Sequence, residues 1–284
     1  MNRPRKPSGS NPTLIIGTLI AVAIVVGVIY LSQSSPDEEL EMISIPEQPV
    51  EPVVQAPVVP EAVIPSTPEP EPQPEPQVEP KQNLVSKAPE LPGLDNSDDF
   101  IRERLLLINS KKEFSNWVKT DDLIRRTASY LDGLSNGVML SKVFPLTPPQ
   151  GKFATHKSDG SIWLNAGNYE RYNHSINAIA NTNMASIAKM FHFSRPLLEA
   201  AFSEMGYNPR QMDGIILQAI DIILATPIIV EPIKLTRESV VYKFADPALE
   251  ALLPIQKQLL RTGPNNTKHL QKQAYALQQA LLNP

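Results

Sequence analysis

The sequence contains no cysteine, and this absence removes several classes of protein at once. Disulfide bonds are excluded, and so are zinc sites built on thiolate ligands. A lipoprotein is excluded too, because its lipid is attached to a cysteine. The lack of cysteine is compatible with either an oxidising or a reducing compartment.

Histidine and glycine are also scarce, with four and twelve residues in 284. The histidines, at positions 156, 174, 192 and 269, lack the spacing of metal ligands. No glycine-rich phosphate loop, Gly-x-Ser-x-Gly elbow or His-Glu-x-x-His motif occurs. The sequence therefore predicts neither a metal nor a cofactor and indicates no catalytic residue. Enzymatic activity stays open but is the less favoured interpretation.

The most prominent feature that the sequence does contain is an uncharged apolar run from Thr13 to Leu31. At about 1.5 Å per residue, a helix of this length covers roughly 28 Å, enough to cross the hydrocarbon core of a bilayer. Only basic charges precede the run, and acidic charges follow it, so its N-terminal side is expected in the cytoplasm. We predict a cytoplasmic tail at 1–12 and a transmembrane helix at 13–32.

A cleaved signal peptide is the alternative for this run. Ser32-Gln33-Ser34 has the small-x-small form of a cleavage site. However, the apolar region of a signal peptide usually has about 7 to 15 residues. The run found here is longer and ends near Tyr30, a residue type that anchors helices at the membrane interface. The pattern favours a membrane anchor.

Residues 33–90 form an acidic, proline-rich tract. Between residues 36 and 92 there are fifteen prolines, twelve acidic residues and two lysines. Proline removes main-chain donors and favours polyproline II, and like charges repel one another, so we predict a disordered, unpacked linker. Fully extended at about 3.1 Å per residue, it would span roughly 170 Å. A spacer is the simplest role, and a ligand for a proline-binding partner or a cationic surface is the alternative.

The remaining residues, 91–284, have the pattern of one mainly helical domain with a small β-hairpin or minor sheet. Apolar residues recur at helical spacing, and capping residues stand where several of these runs begin. The predicted helices cover 97–108, 110–118, 121–133, 169–180, 184–205 with a kink or break at Pro196, 213–224, 247–253, 255–261 and 264–282. The predicted strands cover 153–156, 161–164, 228–235 and 240–244.

Five ordered motifs in this domain resemble the bacterial domain of unknown function 3014 family. They are Leu91–Asp98, Thr120–Arg126, Tyr169–Tyr172, Leu224–Pro227 and the C-terminal signature spread over Tyr242–Asn265. The sequence departs from the expected pattern at Asn173 and Thr262, where the family would have Asp and Met. The resemblance implies a single-pass envelope protein of Gram-negative bacteria without assigned activity. It thus implies an inner-membrane anchor at 13–32 and a periplasmic domain.

The first candidate binding surface is aromatic. Trp163, Tyr169 and Tyr172, with Arg171 between the two tyrosines, place aromatic rings and a guanidinium close together in the sequence. Such a composition suits stacking on sugars or peptides. Core packing of the same residues is the alternative interpretation.

The second candidate surface is basic. After Glu250 the chain has four fixed positive charges and no acidic side chain, and Arg261 and Lys268 flank the predicted start of the last helix. This pattern indicates an acidic envelope partner such as an anionic glycan, a lipid headgroup or an acidic protein segment. A solvated helix face is the alternative. Nucleic acid is disfavoured, because residues 93–284 have twenty-one basic and eighteen acidic side chains, too small an excess.

The third candidate is the pair Arg125 and Arg126, one turn after Asp121 and Asp122. The two arginines have the composition of a clamp for a carboxylate or phosphate. Ion pairs at i,i+4 on a solvated helix face are the alternative. The adjacent aspartates point about 100° apart on a helix, so they do not converge as the acid and base of an enzyme would.

Together these features predict an inner-membrane-anchored periplasmic module that binds or scaffolds other components of the cell envelope. An envelope hydrolase that uses Asp121, Asp122 or Glu170 is the alternative from another class. The anchor and the Glu-Pro tract also resemble force transducers of the TonB type, although the helix-rich domain speaks against that role.

Overall fold

The computed structural model describes residues 62–65, 91–140, 143, 149, 151–239 and 241–284. The predicted cytoplasmic tail and transmembrane helix lie outside these residues, and the predicted linker is described only at 62–65. Within the described ranges, no helix combines the length and apolar character needed to cross a bilayer.

The prediction of a mainly helical domain is confirmed. A short 3-10 helix, Leu94–Asn96, precedes the first α-helix of the described domain. The α-helices are α1 Asp98–Ile108, α2 Lys112–Trp117, α3 Leu123–Ser135, α4 Gly167–Ala180, α5 Met184–Glu204, α6 Pro209–Leu224, α7 Pro247–Glu250, α8 Pro254–Thr262 and α9 Pro264–Leu282.

Five long helices form the centre of the main core. The α3 helix packs against α5 and α6, and α9 packs against α4, α5 and α6. The α6 helix buries Ile215, Ile216, Ile220 and Ile223, as its nearly continuous apolar sequence predicts. Its N-terminus is fixed by a capping box in which Asn208 and Gln211 exchange hydrogen bonds. The start of α6 is therefore a well-defined position, and the candidate site described below lies beside it.

The strands form one four-stranded antiparallel sheet in the order β1-β2-β3-β4. Their bounds are β1 Thr155–Ser158, β2 Ser161–Leu164, β3 Lys234–Glu238 and β4 Val241–Phe244. The predicted strands overlap all four observed ones, but the third is misplaced: the prediction of 228–235 shares only residues 234–235 with β3, and residues 236–238 were expected to separate two strands. The sequence also did not predict the pairing of β2 with β3, which places Ile162 opposite Leu235. This pairing joins two hairpins and gives them a shared apolar cluster with Leu260 of α8.

The start of α3 differs from the prediction. Asp122 has a left-handed φ of +57°, so the helix begins at Leu123, and neither Asp121 nor Asp122 lies in its first turn. The carboxylate of Asp98 in α1 accepts the main-chain N–H groups of Asp122 and Leu123 at 2.7 and 2.8 Å. A side chain distant in sequence thus caps α3, which local capping rules do not reveal.

The α5 helix is not split at Pro196, because it continues from Met184 to Glu204. Proline lacks an N–H group, so the carbonyl of His192 receives no i,i+4 hydrogen bond there. This interruption of the helical ladder lies next to Arg195, a member of the candidate site.

Candidate functional site

Asp213, near the start of α6, is the only fully buried acidic side chain in the described part of the chain, with 1% of its surface exposed. Its Oδ2 atom accepts a hydrogen bond from Nη2 of Arg195 in α5 at 2.8 Å. Arg195 also donates through Nε to Oε1 of Glu199 at 2.8 Å, and its guanidinium carbon lies 5.4 Å from the centre of the Phe191 ring. A buried carboxylate held by a charged partner is the arrangement that its desolvation requires.

The same carboxylate oxygen binds the proline-rich tract. The main-chain N–H of Ile64 donates to Asp213 Oδ2 at 3.0 Å, and the Ile64 side chain is 1% exposed within the main core. The neighbouring Val63 is 70% exposed. At these residues the structure differs from the expectation of an unpacked tract, because Ile64 combines an apolar side chain with a main-chain donor that the domain can use.

Contributions of similar size favour and oppose docking of this segment. Burial of an isoleucine side chain contributes about 1.5 to 3 kcal/mol, and a hydrogen bond to a charged acceptor contributes about 1.5 to 3 kcal/mol. Ordering opposes them with about 1 to 2 kcal/mol for each residue fixed. Pro65 reduces that cost, because a residue before proline already favours an extended conformation. Docking is therefore expected to lie within a few kcal/mol of balance.

The site retains hydrogen-bonding capacity that Ile64 does not use. Asp213 Oδ1 and Arg195 Nη1 are buried, and neither has a hydrogen-bond partner among the described residues. One of these atoms is an acceptor and the other a donor, the same combination that a peptide group complements. Because unpaired buried polar atoms are costly, a hydrogen bond to either atom would strengthen the site.

His192 lies one helical turn before Arg195. Its ring packs edge-on against Phe191, and both ring nitrogens are buried without a partner among the described residues. Burial is the main cause that lowers the pKa of His192, and the positive charge of Arg195 lowers it further, while Asp213 acts in the opposite direction. The ring also lines an open groove of about 480 Å³ between α5 and the end of α9.

This environment predicts a pH-dependent stability. Because the folded-state pKa of His192 lies below its ordinary value of 6.5, protonation favours the unfolded chain. The stability that depends on neutral His192 is therefore fully present above pH 6.5 and is lost as the pH falls below that value. We expect His192→Gln to reduce the loss of melting temperature between about pH 7.5 and pH 5.5. His156→Gln, at an exposed position on β1, is the matched control, and an unchanged pH dependence in His192→Gln would contradict the assignment.

The structure does not bring Arg125 and Arg126 together as a clamp. Arg126 donates to the main-chain carbonyls of Asp121 and Val143. Arg125 instead pairs with carboxylates of the chain itself, which raise its pKa. Those carboxylates are Glu204, Asp95 and Asp122, at 2.6, 2.6 and 3.2 Å from the guanidinium nitrogens. The predicted i,i+4 pairs are replaced by the i,i+3 pair of Arg125 with Asp122, because α3 starts later than predicted.

The aromatic candidates do not share one exposed face. Tyr172 is buried in the main core, and Tyr169 is half-buried against Gly263, where burial raises its pKa. Trp163 is half-buried on β2, and Arg171 donates to loop carbonyls at 2.8 and 3.3 Å. Core packing, the alternative interpretation of these residues, thus describes the surroundings of the two tyrosines better than a stacking platform does.

Arg261 and Lys268 have different surroundings. Lys268 is exposed on α9, whereas Arg261 is partly buried, with its guanidinium carbon 5.5 Å from the centre of the Phe244 ring. Burial lowers the pKa of Arg261, and the nearby Tyr172 and Glu250 oppose this change. Of the two residues that defined the basic candidate, only Lys268 is fully available to a partner.

These surroundings predict different effects for the two charge reversals. Arg261→Glu should lower the free energy of unfolding by about 1 to 3 kcal/mol, because it places a second carboxylate close to Glu250 at a poorly solvated position. Lys268→Glu should change it by less than about 0.5 kcal/mol. Urea denaturation of each single variant measures the difference. Equal stability of the two variants would mean that Arg261 is as solvated as Lys268.

The motifs that resemble the family come together where α8 meets α9. Asn266 donates to Tyr169 O and to Asn173 Oδ1, both at 3.0 Å, and Thr262 donates to Leu259 O at 2.7 Å. The two departures from the family pattern are thus accommodated, because asparagine supplies the same acceptor as aspartate and the hydroxyl of Thr262 is satisfied locally.

The sequence did not indicate the site at Asp213. The sequence does contain a feature that could have indicated it: Asp213 stands at helical spacing with Ile216 and Ile220, on the apolar side of α6. A charged residue in such a stripe needs a buried partner. Neither Arg195 nor Ile64 could be identified as that partner from spacing alone.

Comparison with curated proteins and with solved structures finds no match. Comparison with family models gives one result: the model described as "Protein of unknown function (DUF3014)" matches residues 123–278, more than half of the chain. The matched region contains α3 to α8, most of α9 and the entire sheet, and therefore Asp213 and Arg195. The chain accordingly belongs to the DUF3014 family of proteins of unknown function.

Proposed function

We propose that this protein is a binding or scaffolding module of the Gram-negative cell envelope, anchored in the inner membrane with its helical domain in the periplasm. The observation that carries the binding role is the docking of Ile64 on Asp213. A folded domain that accepts the side chain and main chain of a tract segment has the essential property of a peptide-binding module. The uncharged run at 13–32 and its flanking charges support the anchor.

The hydrolase alternative has less support from the geometry. Asp121 has 92% and Asp122 58% of its side-chain surface exposed, and Glu170 is exposed on α4. A catalytic acid or base usually needs a desolvated position that adjusts its pKa, and these positions are open to water. The transducer alternative is also weaker, because the described domain is mainly helical, with one small sheet.

The topology is tested with a reporter that is active only in the periplasm, fused after Pro284. The fusion should be active, and the protein should stay in the membrane fraction during extraction with high salt. Activity of a cytoplasmic reporter in the same position, or release of a shortened soluble product, would contradict the anchored arrangement.

The binding role is tested by photo-cross-linking in intact cells. A photoreactive residue at Val63, next to Ile64 in the docked segment, should capture a defined envelope component, and one at Lys268 tests the proposed acidic partner. Lys157, exposed on β1, is the matched control position. Capture of the same species from all three positions, or of none, would contradict a specific binding surface.

A further inference from the structure

Few atoms of the docked segment are recognised by the domain. Ile64 is buried, whereas Val63 and Pro65 are exposed and Ala62 is partly exposed. The contact to Asp213 uses the main-chain N–H, which every residue except proline has. Recognition therefore depends on one branched apolar side chain, one main-chain donor and the extended conformation that a following proline favours.

The tract contains this combination more than once. Val63-Ile64-Pro65 is preceded, five residues earlier, by Val58-Val59-Pro60, in which two β-branched residues are again followed by proline. A third β-branched pair, Val53-Val54, continues the five-residue spacing but lacks the proline. Ile45 also directly precedes a proline, Pro46. The chain thus has three β-branched aliphatic residues in the tract that are followed by proline, so the requirements of the site are not specific to Ile64.

The site is also suited to exchange of its occupant. Asp213 Oδ1 and Arg195 Nη1 have no partner among the described residues while Ile64 is docked. An extended segment whose main chain paired with either atom would gain a hydrogen bond that residues 62–65 do not make. Because docking of the cis segment is close to balance, such a competitor needs only a modest advantage.

We propose that the Asp213–Arg195 site recognises an extended polypeptide segment in which a β-branched aliphatic residue directly precedes proline. Residues 62–65 are then the resident ligand in cis, and a partner polypeptide of the same chemistry displaces them. This inference rests on the proposed binding function and adds to it the location of the site and the class of ligand.

The test measures fluorescence anisotropy of a labelled peptide with the sequence of residues 61–68. The full chain is used in detergent, as wild type and as the triple variant Ile45→Ser/Val59→Ser/Ile64→Ser, whose tract no longer has a β-branched aliphatic residue directly before proline. The peptide should bind the triple variant at least about tenfold more tightly than the wild type, because a tethered ligand competes at an effective concentration of about millimolar. A peptide with Ile64→Ser should not bind, and one with Val63→Ser should bind like the parent.

A folded triple variant that does not bind the peptide at about millimolar concentration would overturn the proposal and leave residues 62–65 as a fixed structural clasp. If the triple variant does not fold, wild-type protein is used with the unlabelled peptide in excess. Exchange of the Ile64 amide should then increase, and no increase would also overturn the proposal. Cross-linking from Lys268 distinguishes failure of this inference from failure of the proposed binding function. Capture of a partner there, without peptide binding, would leave a binding module whose binding surface lies elsewhere.

Discussion

Gly263→Ala should destabilise the domain by about 2 to 5 kcal/mol, one of the two largest effects expected for a single substitution. Gly263 lies between α8 and α9 with a φ of +90°, in the left-handed region that residues with a Cβ atom rarely adopt. An added Cβ would also lie 2.7 Å from Cδ1 and Cδ2 of Tyr169. The substitution therefore adds steric overlap to backbone strain, and the packed ring has little freedom to move.

Gly206→Ala separates these two costs. Gly206 has a nearly identical φ of +91°, but no atom lies within 4 Å of the position that its Cβ would occupy. The Gly206→Ala substitution should lower the free energy of unfolding only by the cost of the backbone conformation, about 1 to 2 kcal/mol. Urea denaturation of both variants gives the comparison. If the two lose equal stability, the contact of Gly263 with Tyr169 contributes nothing, and the junction of α8 and α9 is looser than described.

Asp213→Ala should have the second large effect, a loss of about 3 kcal/mol in the free energy of unfolding. It leaves Arg195 without its buried partner and the N–H of Ile64 without an acceptor. The estimate lies at the lower end for a broken buried pair, because Arg195 keeps Glu199 and is 20% exposed. Asp221→Ala is the matched control, since Asp221 lies exposed on the same helix and its carboxylate accepts a hydrogen bond from Gln278.

A double substitution distinguishes stability from docking. Asp213→Leu with Arg195→Leu removes both charges, so the domain should recover most of the lost stability. The variant should nevertheless fail to hold residues 62–65, because the acceptor for Ile64 is gone. If the double variant is as unstable as Asp213→Ala, the ion pair supports the fold through contacts other than mutual charge compensation.

The helices could be predicted from sequence because their signals are local. The apolar spacing of α6 and the capping residue Asn208 lie within the helix or directly before it. The sheet was only partly predictable, since the pairing of β2 with β3 joins residues about seventy positions apart. The same limit explains the error at α3, whose cap comes from Asp98 in another helix.

The candidate residues were harder to predict than the fold. Arg261 stood out as a charge, but its burial against Phe244 depends on how α8 packs on the sheet. Ile64 lies in a tract whose composition predicts disorder, and an average composition does not reveal that the domain buries this residue. The site forms where α5, α6 and Ile64 meet. This is a tertiary contact, and it has no sequence pattern of its own.

The most direct test of the central claim is amide hydrogen exchange at Ile64 in the full chain in detergent. Docking on Asp213 predicts that this amide exchanges at least about tenfold more slowly than in the Asp213→Leu/Arg195→Leu variant. The exposed Val63 provides the internal reference, because its rate should be nearly the same in both proteins. Equal exchange of the Ile64 amide in the two proteins would show that residues 62–65 do not dock on the domain and would contradict the account.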